Sequence, residues 1–307
     1  MIFGILIAAF TLIFSMQLSL GSNPEGGRWV AECLDKKSFA IEQKTPKLVI
    51  LSGSNSLFGF SAKRLSERYG IESVNASVHA GLGLNYILHY ARHYIAPGRI
   101  FVLPLEYSLY GKPSSSGAFL YQVVGFDPNY FRQLGLLEKA EFISQIPMMD
   151  RARFLRAAVA PQTKSETVGY QSKTLNDWGD ETANAPEKRT ASMLASVKKS
   201  KPQKYSINDA VWGELELFVK DVKAAGGKVL LAYPNIYENS IDLKTNEKFI
   251  KDLNLRAAKL GTLFLGNPEN YTFDESRAFD TNYHQNTTGQ IKSTDQLYTD
   301  LRRAGVF

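Results

Sequence analysis

The sequence predicts an α/β fold, a three-layer sandwich around a five-stranded parallel sheet, and three observations support that prediction. Short apolar runs alternate with helical patterns along most of the chain. Glycine or proline residues follow many of these segments, as expected at the ends of helices and strands. The composition is globular, with 44% hydrophobic residues and one cysteine, which excludes a disulfide framework.

The strands are expected at residues 47–51, 71–75, 99–105, 228–233 and 262–265, where apolar residues are continuous. Helical spacing predicts helices at residues 61–69, 83–95, 208–225, 244–260 and 288–304. Strands that alternate with helices form parallel β-α-β units with right-handed crossovers. The expected domain therefore covers residues 46–307.

The N-terminal segment differs from the rest of the chain. Residues 2–20 carry no charged side chain, and about 20 such residues can span a bilayer. The run is longer than a signal-peptide core of roughly 7–15 residues. We therefore expect residues 1–20 to form an uncleaved membrane anchor rather than a cleaved signal peptide. Residues 21–45 are expected to form a stalk and entry segment, with the domain on the extracytoplasmic side of the membrane.

The β-α rhythm disappears between about residues 111 and 205, which predicts an insertion or lid in the domain. This stretch ends in a basic run, from Lys188 to Lys204, that contains no acidic residue. A solvated surface is the favoured interpretation, and contact with a polyanion or a lipid headgroup is the alternative. The formal net charge of +6 is mild, and no nucleic-acid partner is expected.

Candidate catalytic residues follow the first and last predicted strands. The serine-rich loop at residues 52–56 follows the first strand, and Asp280 and His284 follow the last. Ligands of open parallel sheets bind beyond the carboxyl ends of the strands. The sequence thus favours a serine of this loop as nucleophile. His284 would accept the serine proton, and Asp280 would orient the imidazole.

These motifs resemble those of the SGNH (GDSL-like) hydrolase superfamily of esterases, deacetylases and polysaccharide O-acetyltransferases. The segment 48–54 is similar to the strand and Gly-Asp-Ser block of that family, although Ser52-Gly53-Ser54 stands here. This resemblance puts the nucleophile at Ser54, with Ser56 as its rival. The segment 74–81 resembles the second block, and 280–284 resembles the terminal Asp-x-x-His motif. The third-block asparagine has no match, because Glu106-Tyr107 occupies its place.

The resemblance implies a flavodoxin-like SGNH fold and a site without metal or cofactor. It implies oxyanion donors among the backbone amides of Ser54 and of Ala80 or Gly81. The side chains of Asn55 and Tyr107 are further candidate donors. Three residues near the strand ends are expected to contact substrate: Asn75, His79 and Glu106. His89 and His93 have a spacing that can bind zinc, but no third ligand is evident.

The function expected from this resemblance is extracytoplasmic esterase or O-acyltransferase activity on acyl groups, acetyl above all, of a cell-surface polysaccharide. The expected partners are that glycan, the membrane and proteins of polysaccharide export or acetylation. The alternative is a catalytically inactive relative that binds glycan or assists assembly of an exopolysaccharide system.

Overall fold

A five-stranded parallel sheet forms the centre of the protein. The computed structural model describes residues 2–21, 27–111, 117–159 and 171–307. Met1, residues 22–26 of the expected entry segment, and residues 112–116 and 160–170 of the expected insertion lie outside the described residues. In chain order the strands are β1 (Leu48–Ile50), β2 (Ser73–Asn75), β3 (Ile100–Leu103), β4 (Lys228–Ala232), β5 (Ile236–Tyr237), β6 (Phe264–Leu265) and β7 (Thr272–Phe273).

The strand order in the main sheet is β2-β1-β3-β4-β6, with every neighbouring pair parallel. In the central register, Val49 of β1 lies between Val74 and Phe101. This is the order of flavodoxin-like doubly wound sheets, in which the chain reverses its winding direction beside β1. The predicted parallel sheet is confirmed, and the crevice at its switch point lies beyond the ends of β1 and β3.

Helices cover the sheet. In chain order they are α1 (Ile2–Leu20), α2 (Arg28–Lys44), α3 (Ser54–Gly59), α4 (Ala62–Tyr69), α5 (Gly83–Arg92), α6 (Gly117–Val124), α7 (Pro128–Gln133), α8 (Leu136–Ser144), α9 (Met148–Val159), α10 (Ala191–Lys198), α11 (Asp209–Ala224), α12 (Glu247–Lys259) and α13 (Thr287–Arg303). Helix α5 packs on α11, and α13 packs on α3 and α4. All residues of β1 and β3 are buried, as expected for a parallel sheet covered on both faces.

Local capping explains where several helices begin and end. The Ser61 side chain accepts a hydrogen bond from the backbone N–H of Arg64 at the start of α4. That helix ends at Gly70, which adopts a left-handed conformation with φ of 68°. Asn208 and Asn286 cap the first turns of α11 and α13 in the same way as Ser61. These caps are local sequence signals, so the boundaries could be anticipated from sequence.

The helix α1 contacts the insertion through one side. Phe14 and Leu18 are completely buried, and the Phe14 ring lies edge-on to Phe154 of α9 with centroids 5.3 Å apart. The Arg132 guanidinium of α7 donates to the carbonyl of Ser19. The sequence analysis predicts a membrane anchor here. Within the described ranges, the structure contains no helix with both the length and the hydrophobicity needed to cross a bilayer.

The expected stalk contains a packed helix. Helix α2 covers residues 28–44 and packs against β2, with Val30, Cys33 and Leu34 buried. Lys37 of α2 is also fully buried, and its ammonium donates to the carbonyls of Asn75 and Gly179 at 2.7 and 2.6 Å. Burial lowers the pKa of Lys37 to about 8, because the charged form loses its hydration. This part of the chain therefore belongs to the domain rather than to a stalk.

Part of the expected insertion is also built into the domain. The backbone N–H of Asn75 at the end of β2 donates to the carbonyl of Trp178 at 2.8 Å. The buried Asp180 carboxylate accepts from the backbone N–H groups of Ala62 and Lys63 at the start of α4. Residues 171–184 thus contact both β2 and α4. They are a structural element of the domain as well as a neighbour of the predicted site.

The packing of α1 predicts a large difference between two leucine substitutions in that helix. We expect Leu18→Ala to lower the free energy of unfolding by about 2–5 kcal/mol, because it leaves a cavity at a buried position. Leu12 is 62% exposed, so Leu12→Ala should change it by less than about 0.5 kcal/mol. Denaturant unfolding of the purified full chain measures both. Equal effects of the two substitutions would show that α1 does not pack as described.

Candidate active site

The serine-rich loop lies at the carboxyl end of β1, and its serines have different roles. The Ser52 hydroxyl is buried and donates to Glu106 Oε2 and to the carbonyl of Pro104. Ser56 is completely buried, and its hydroxyl accepts from Asn55 Nδ2. Ser54 is the first residue of α3 and is 8% exposed to solvent, whereas Ser52 is 1% exposed and Ser56 is fully buried. This geometry favours Ser54 over the rival nucleophile Ser56.

The Glu106 carboxylate binds the loop on both sides of Ser54. Its oxygens accept from the backbone N–H of Gly53 at 3.1 Å and from that of Asn55 at 2.9 Å. Glu106 is 1% exposed, and burial raises the pKa of its carboxyl while these hydrogen bonds partly oppose the shift. Glu106 was expected to contact substrate, but these hydrogen bonds give it a structural role instead. Glu106 fixes the backbone that carries the candidate nucleophile.

Gly53 is required by this close packing. A Cβ atom at position 53 would lie 2.5 Å from Glu106 Oε1 and 2.6 Å from the Cα of Ala80. The backbones of Gly53 and Ala80 are therefore in contact, which only a residue without a side chain permits at position 53.

His284 and Asp280 form the predicted pair. The Nδ1 atom of His284 lies 2.7 Å from Asp280 Oδ1, and the imidazole is 3% exposed. A carboxylate at Nδ1 favours the tautomer with the proton on that nitrogen, which leaves Nε2 to accept a proton. Asp280 and His284 are four residues apart in the turn before α13. This separation in sequence still lets the carboxylate reach the imidazole.

Helix α3 carries Ser54 and also contacts His284. Phe58 lies one helical turn after Ser54, and its ring stacks on the His284 imidazole with centroids 4.3 Å apart. Residues four apart share one face of a helix, so the imidazole lies against the face that carries Ser54. In the described part of the chain, no hydrogen bond joins Ser54 to His284. Catalytic hydrogen bonds of unliganded enzymes are often long and shorten on substrate binding.

Two backbone N–H groups at the Ser54 loop can donate hydrogen bonds to an oxyanion. The N–H groups of Ser54 and Ala80 each begin a helical turn, α3 and the turn Ala80–Leu82. Neither donates to a hydrogen bond among the described residues, and the backbone contact between Gly53 and Ala80 brings the two segments together. Paired N–H donors of this kind stabilise the charge that develops on a tetrahedral intermediate.

Other predicted oxyanion donors are engaged elsewhere. The Gly81 N–H donates to His79 Nδ1 at 2.9 Å, so Ala80 rather than Gly81 has the available amide. The Asn55 side chain is buried and donates to the carbonyl of Pro104, while its Oδ1 accepts from the N–H of Asn235. The predictions for Gly81 and Asn55 are corrected on these grounds.

Tyr107 packs into an aromatic cluster. Its ring lies 5.3 Å from Tyr205 and 5.7 Å from Phe249, measured between centroids. Its buried hydroxyl has no hydrogen-bond partner among the residues that the structure describes. A donor role for Tyr107 at the oxyanion stays a prediction.

The remaining expected substrate contacts differ in their placement. Asn75 is completely buried, and its Nδ2 donates to the carbonyls of Ser56 and Phe60 at the end of α3. Its amide therefore supports the nucleophile helix rather than substrate. His79 is partly exposed and lies close enough to His284 for their charges to interact. Burial, and then the charge of His284, lowers the pKa of His79 to about 4, so its imidazole is neutral near pH 7.

Asn184 is a site residue that the sequence analysis does not identify. Its buried Nδ2 donates to the carbonyl of Gln285 at 3.0 Å and to that of Phe58 at 3.4 Å. The backbone N–H of Thr287 donates to the Asn184 carbonyl. One amide from the insertion thus joins the nucleophile helix to the His284 turn. Nothing in the surrounding sequence pattern marks this residue.

His89 of α5 and His93, the residue that follows this helix, make protein contacts. His89 Nε2 lies 3.3 Å from Asp127 Oδ2, and the His89 and His93 rings meet edge-to-face at 5.4 Å. Among the described residues, no group of three or more His, Cys, Asp or Glu side chains is arranged to hold a metal ion.

Comparison with known proteins gives no family assignment: no protein-family model matches the chain, and no curated protein matches it. The resemblance to SGNH hydrolases therefore rests on the residues and geometry described above.

The contacts of Glu106 predict a specific effect of Glu106→Gln. The new amide group would present N–H donors to backbone N–H groups, so the loop should lose at least one hydrogen bond. We expect the free energy of unfolding to fall by about 1–3 kcal/mol. If the chain hydrolyses an ester such as p-nitrophenyl acetate, that turnover should fall about tenfold or more, because the Ser54 backbone is no longer fixed.

Asp180→Asn is the matched control, because Asp180 is another buried carboxylate that accepts backbone N–H groups at a helix start. It should lower stability by a similar amount and retain turnover of the folded fraction. If both variants lose turnover only in proportion to their unfolded fraction, Glu106 has no positioning role.

Proposed function

We propose that this protein is an SGNH-like serine esterase or O-acyltransferase that removes or transfers acyl groups, acetyl above all, of a cell-surface polysaccharide. The observation that carries the proposal is the meeting of three distant segments at one sheet edge. They are the Ser54 loop, the His79–Leu82 turn and the Asp280–His284 pair. A switch point between parallel strands is where α/β proteins bind their ligands.

The proposed reaction begins with attack of Ser54 Oγ on the ester carbonyl. His284 Nε2 takes the serine proton, while Asp280 holds the ring and stabilises the imidazolium. The carbonyl oxygen becomes an oxyanion that the N–H groups of Ser54 and Ala80 stabilise. Expulsion of the sugar hydroxyl, which takes the proton from His284, leaves an acyl-enzyme on Ser54. Water or another sugar hydroxyl then receives the acyl group by the reverse sequence.

The absence of the third-block asparagine has a local explanation within this proposal. Glu106 stands in that place and accepts hydrogen bonds from Ser52, Gly53 and Asn55. A carboxylate cannot donate to an oxyanion unless it is protonated, so the two backbone amides would act without a side-chain donor. Removal of one donor from an oxyanion hole costs about 10²–10³ in rate. We therefore propose a slow enzyme.

A catalytically inactive relative is the second candidate, favoured by Glu106, which stands in place of the third-block asparagine and accepts backbone N–H groups instead of donating to an oxyanion. Such a protein would bind glycan or assist assembly of an exopolysaccharide system. Location outside the cytoplasm, with the N-terminal helix at a membrane, is part of either proposal. It rests on the uncharged sequence of residues 2–20.

Ester turnover by single-site variants tests the proposed function. We expect Ser54→Ala to reduce p-nitrophenyl acetate hydrolysis to background and His284→Ala to reduce it about 100-fold or more, because each removes a reacting group.

The matched controls are Ser56→Ala and His93→Ala, which alter a serine and a histidine outside the proposed chemistry. Both should keep most of the wild-type rate. If His284→Ala retained more than about a tenth of that rate, His284 would not be the general base. An inactive wild-type chain that still binds glycan would support the second candidate instead.

A further inference from the structure

A cavity of about 340 Å³ opens beside the candidate catalytic pair. Asp280, which binds His284, is part of its lining, as is Phe58, whose ring stacks on His284. The volume lies in the range of small-molecule sites. Ser54 and His284 do not line the cavity, which adjoins the pair on the side of Asp280 and Phe58. A sugar unit further along a bound polysaccharide could therefore occupy it.

Among the described residues of the lining, both acidic ones already have protein partners. The Asp280 carboxylate contacts His284 Nδ1. The Glu181 carboxylate accepts from the Thr174 hydroxyl at 2.8 Å and from the backbone N–H groups of Thr182 and Ala183 at 3.0 and 2.8 Å. These acids are held in place by neighbours and offer few open acceptor positions to a ligand.

The two basic residues that the described part of the lining contains are differently placed. Lys173 and Lys188 are exposed at the cavity, and neither ammonium lies within 4.0 Å of an acidic group in the described chain. Other basic side chains in this part of the chain already bind protein groups. The Arg189 guanidinium donates to the carbonyls of Glu275 and Ala278, and Lys198 pairs with Glu275. The available charge at this cavity is thus positive.

We propose that this cavity is a subsite for a carboxylate-bearing sugar residue, with Lys173 and Lys188 binding the carboxylate. The inference rests on the proposed function, because it assigns a substrate class to the same site. An ammonium on a flexible stem is a mobile point charge that can follow an anionic group. A single negative charge suits a cavity that also contains two acids. A phosphate monoester carries a charge of about −1.5 to −2 near pH 7 and would be repelled more strongly by them.

Binding to the full-length Ser54→Ala chain tests the subsite without turnover. The probes are a short oligomer of galacturonic acid and the matching neutral oligomer of galactose, measured by calorimetry at low and high salt. We expect the acidic oligomer to bind at least tenfold more tightly than the neutral one, with an affinity that falls as salt increases. Adding Lys173→Gln and Lys188→Gln together should weaken binding of the acidic oligomer about tenfold or more.

Lys201→Gln is the matched control, because Lys201 belongs to the same basic run but does not line the cavity. It should leave the affinity for the acidic oligomer unchanged. Equal binding of the two oligomers by the parent chain, or equal losses from the cavity and control variants, would overturn the subsite. Tighter binding of a phosphorylated oligomer would overturn the assigned carboxylate.

Turnover of p-nitrophenyl acetate by the wild-type chain separates this inference from the proposed function. If that turnover is absent but the lysine-dependent binding persists, the subsite is supported and the esterase is not. If turnover is present but the acidic oligomer does not bind, the esterase is supported and the subsite is overturned.

Discussion

A buried carboxylate holds together the part of the structure on which the proposed chemistry depends. Glu106 follows β3 and accepts hydrogen bonds from Ser52, Gly53 and Asn55, which follow β1. These contacts connect two neighbouring strands at the switch point of the sheet and fix the backbone on both sides of Ser54. A buried charge is tolerated only when hydrogen bonds replace its hydration, and here backbone N–H groups do so. The start of α3 is consequently set by a residue about fifty positions later in the chain.

Helix α3 connects the fixed Ser54 loop to the rest of the site. Phe58 supports the His284 imidazole, and Asn184 binds carbonyls of both α3 and the His284 turn. Asn75 holds the other end of α3 through the carbonyls of Ser56 and Phe60. The candidate nucleophile and base are therefore positioned by a carboxylate, two amides and an aromatic ring, which come from four separate parts of the chain.

The main elements could be predicted from sequence because their signals are local. Strands such as β1 and β3 are continuous apolar runs, and helices such as α4 begin and end at capping residues. The strands β5 and β7 are two residues each and carry no periodicity, so they were not expected. Residues 21–45 are polar and contain glycine, which predicts a stalk, although Val30, Cys33, Leu34 and Ile41 of α2 have helical spacing.

The site was only partly predictable for the same reason. Ser54 follows a strand that the sequence reveals, and Asp280 and His284 precede a helix that it reveals. The roles of Glu106 and Asn75 depend on which hydrogen bonds the folded chain makes, and sequence placed both against substrate. Asn184 lies in a segment without a strand or helix pattern, and only tertiary contacts give it a role.

The central claim is that Ser54 is an activated nucleophile, and covalent labelling tests it most directly. A fluorophosphonate reacts with a serine whose hydroxyl is deprotonated by a neighbouring base, so the adduct reports activation independently of the natural substrate. The account predicts one phosphonate on Ser54, located by peptide mass spectrometry, and its loss in His284→Ala. Labelling at another serine, equal labelling of the His284→Ala chain, or no adduct on the folded wild-type chain would contradict it.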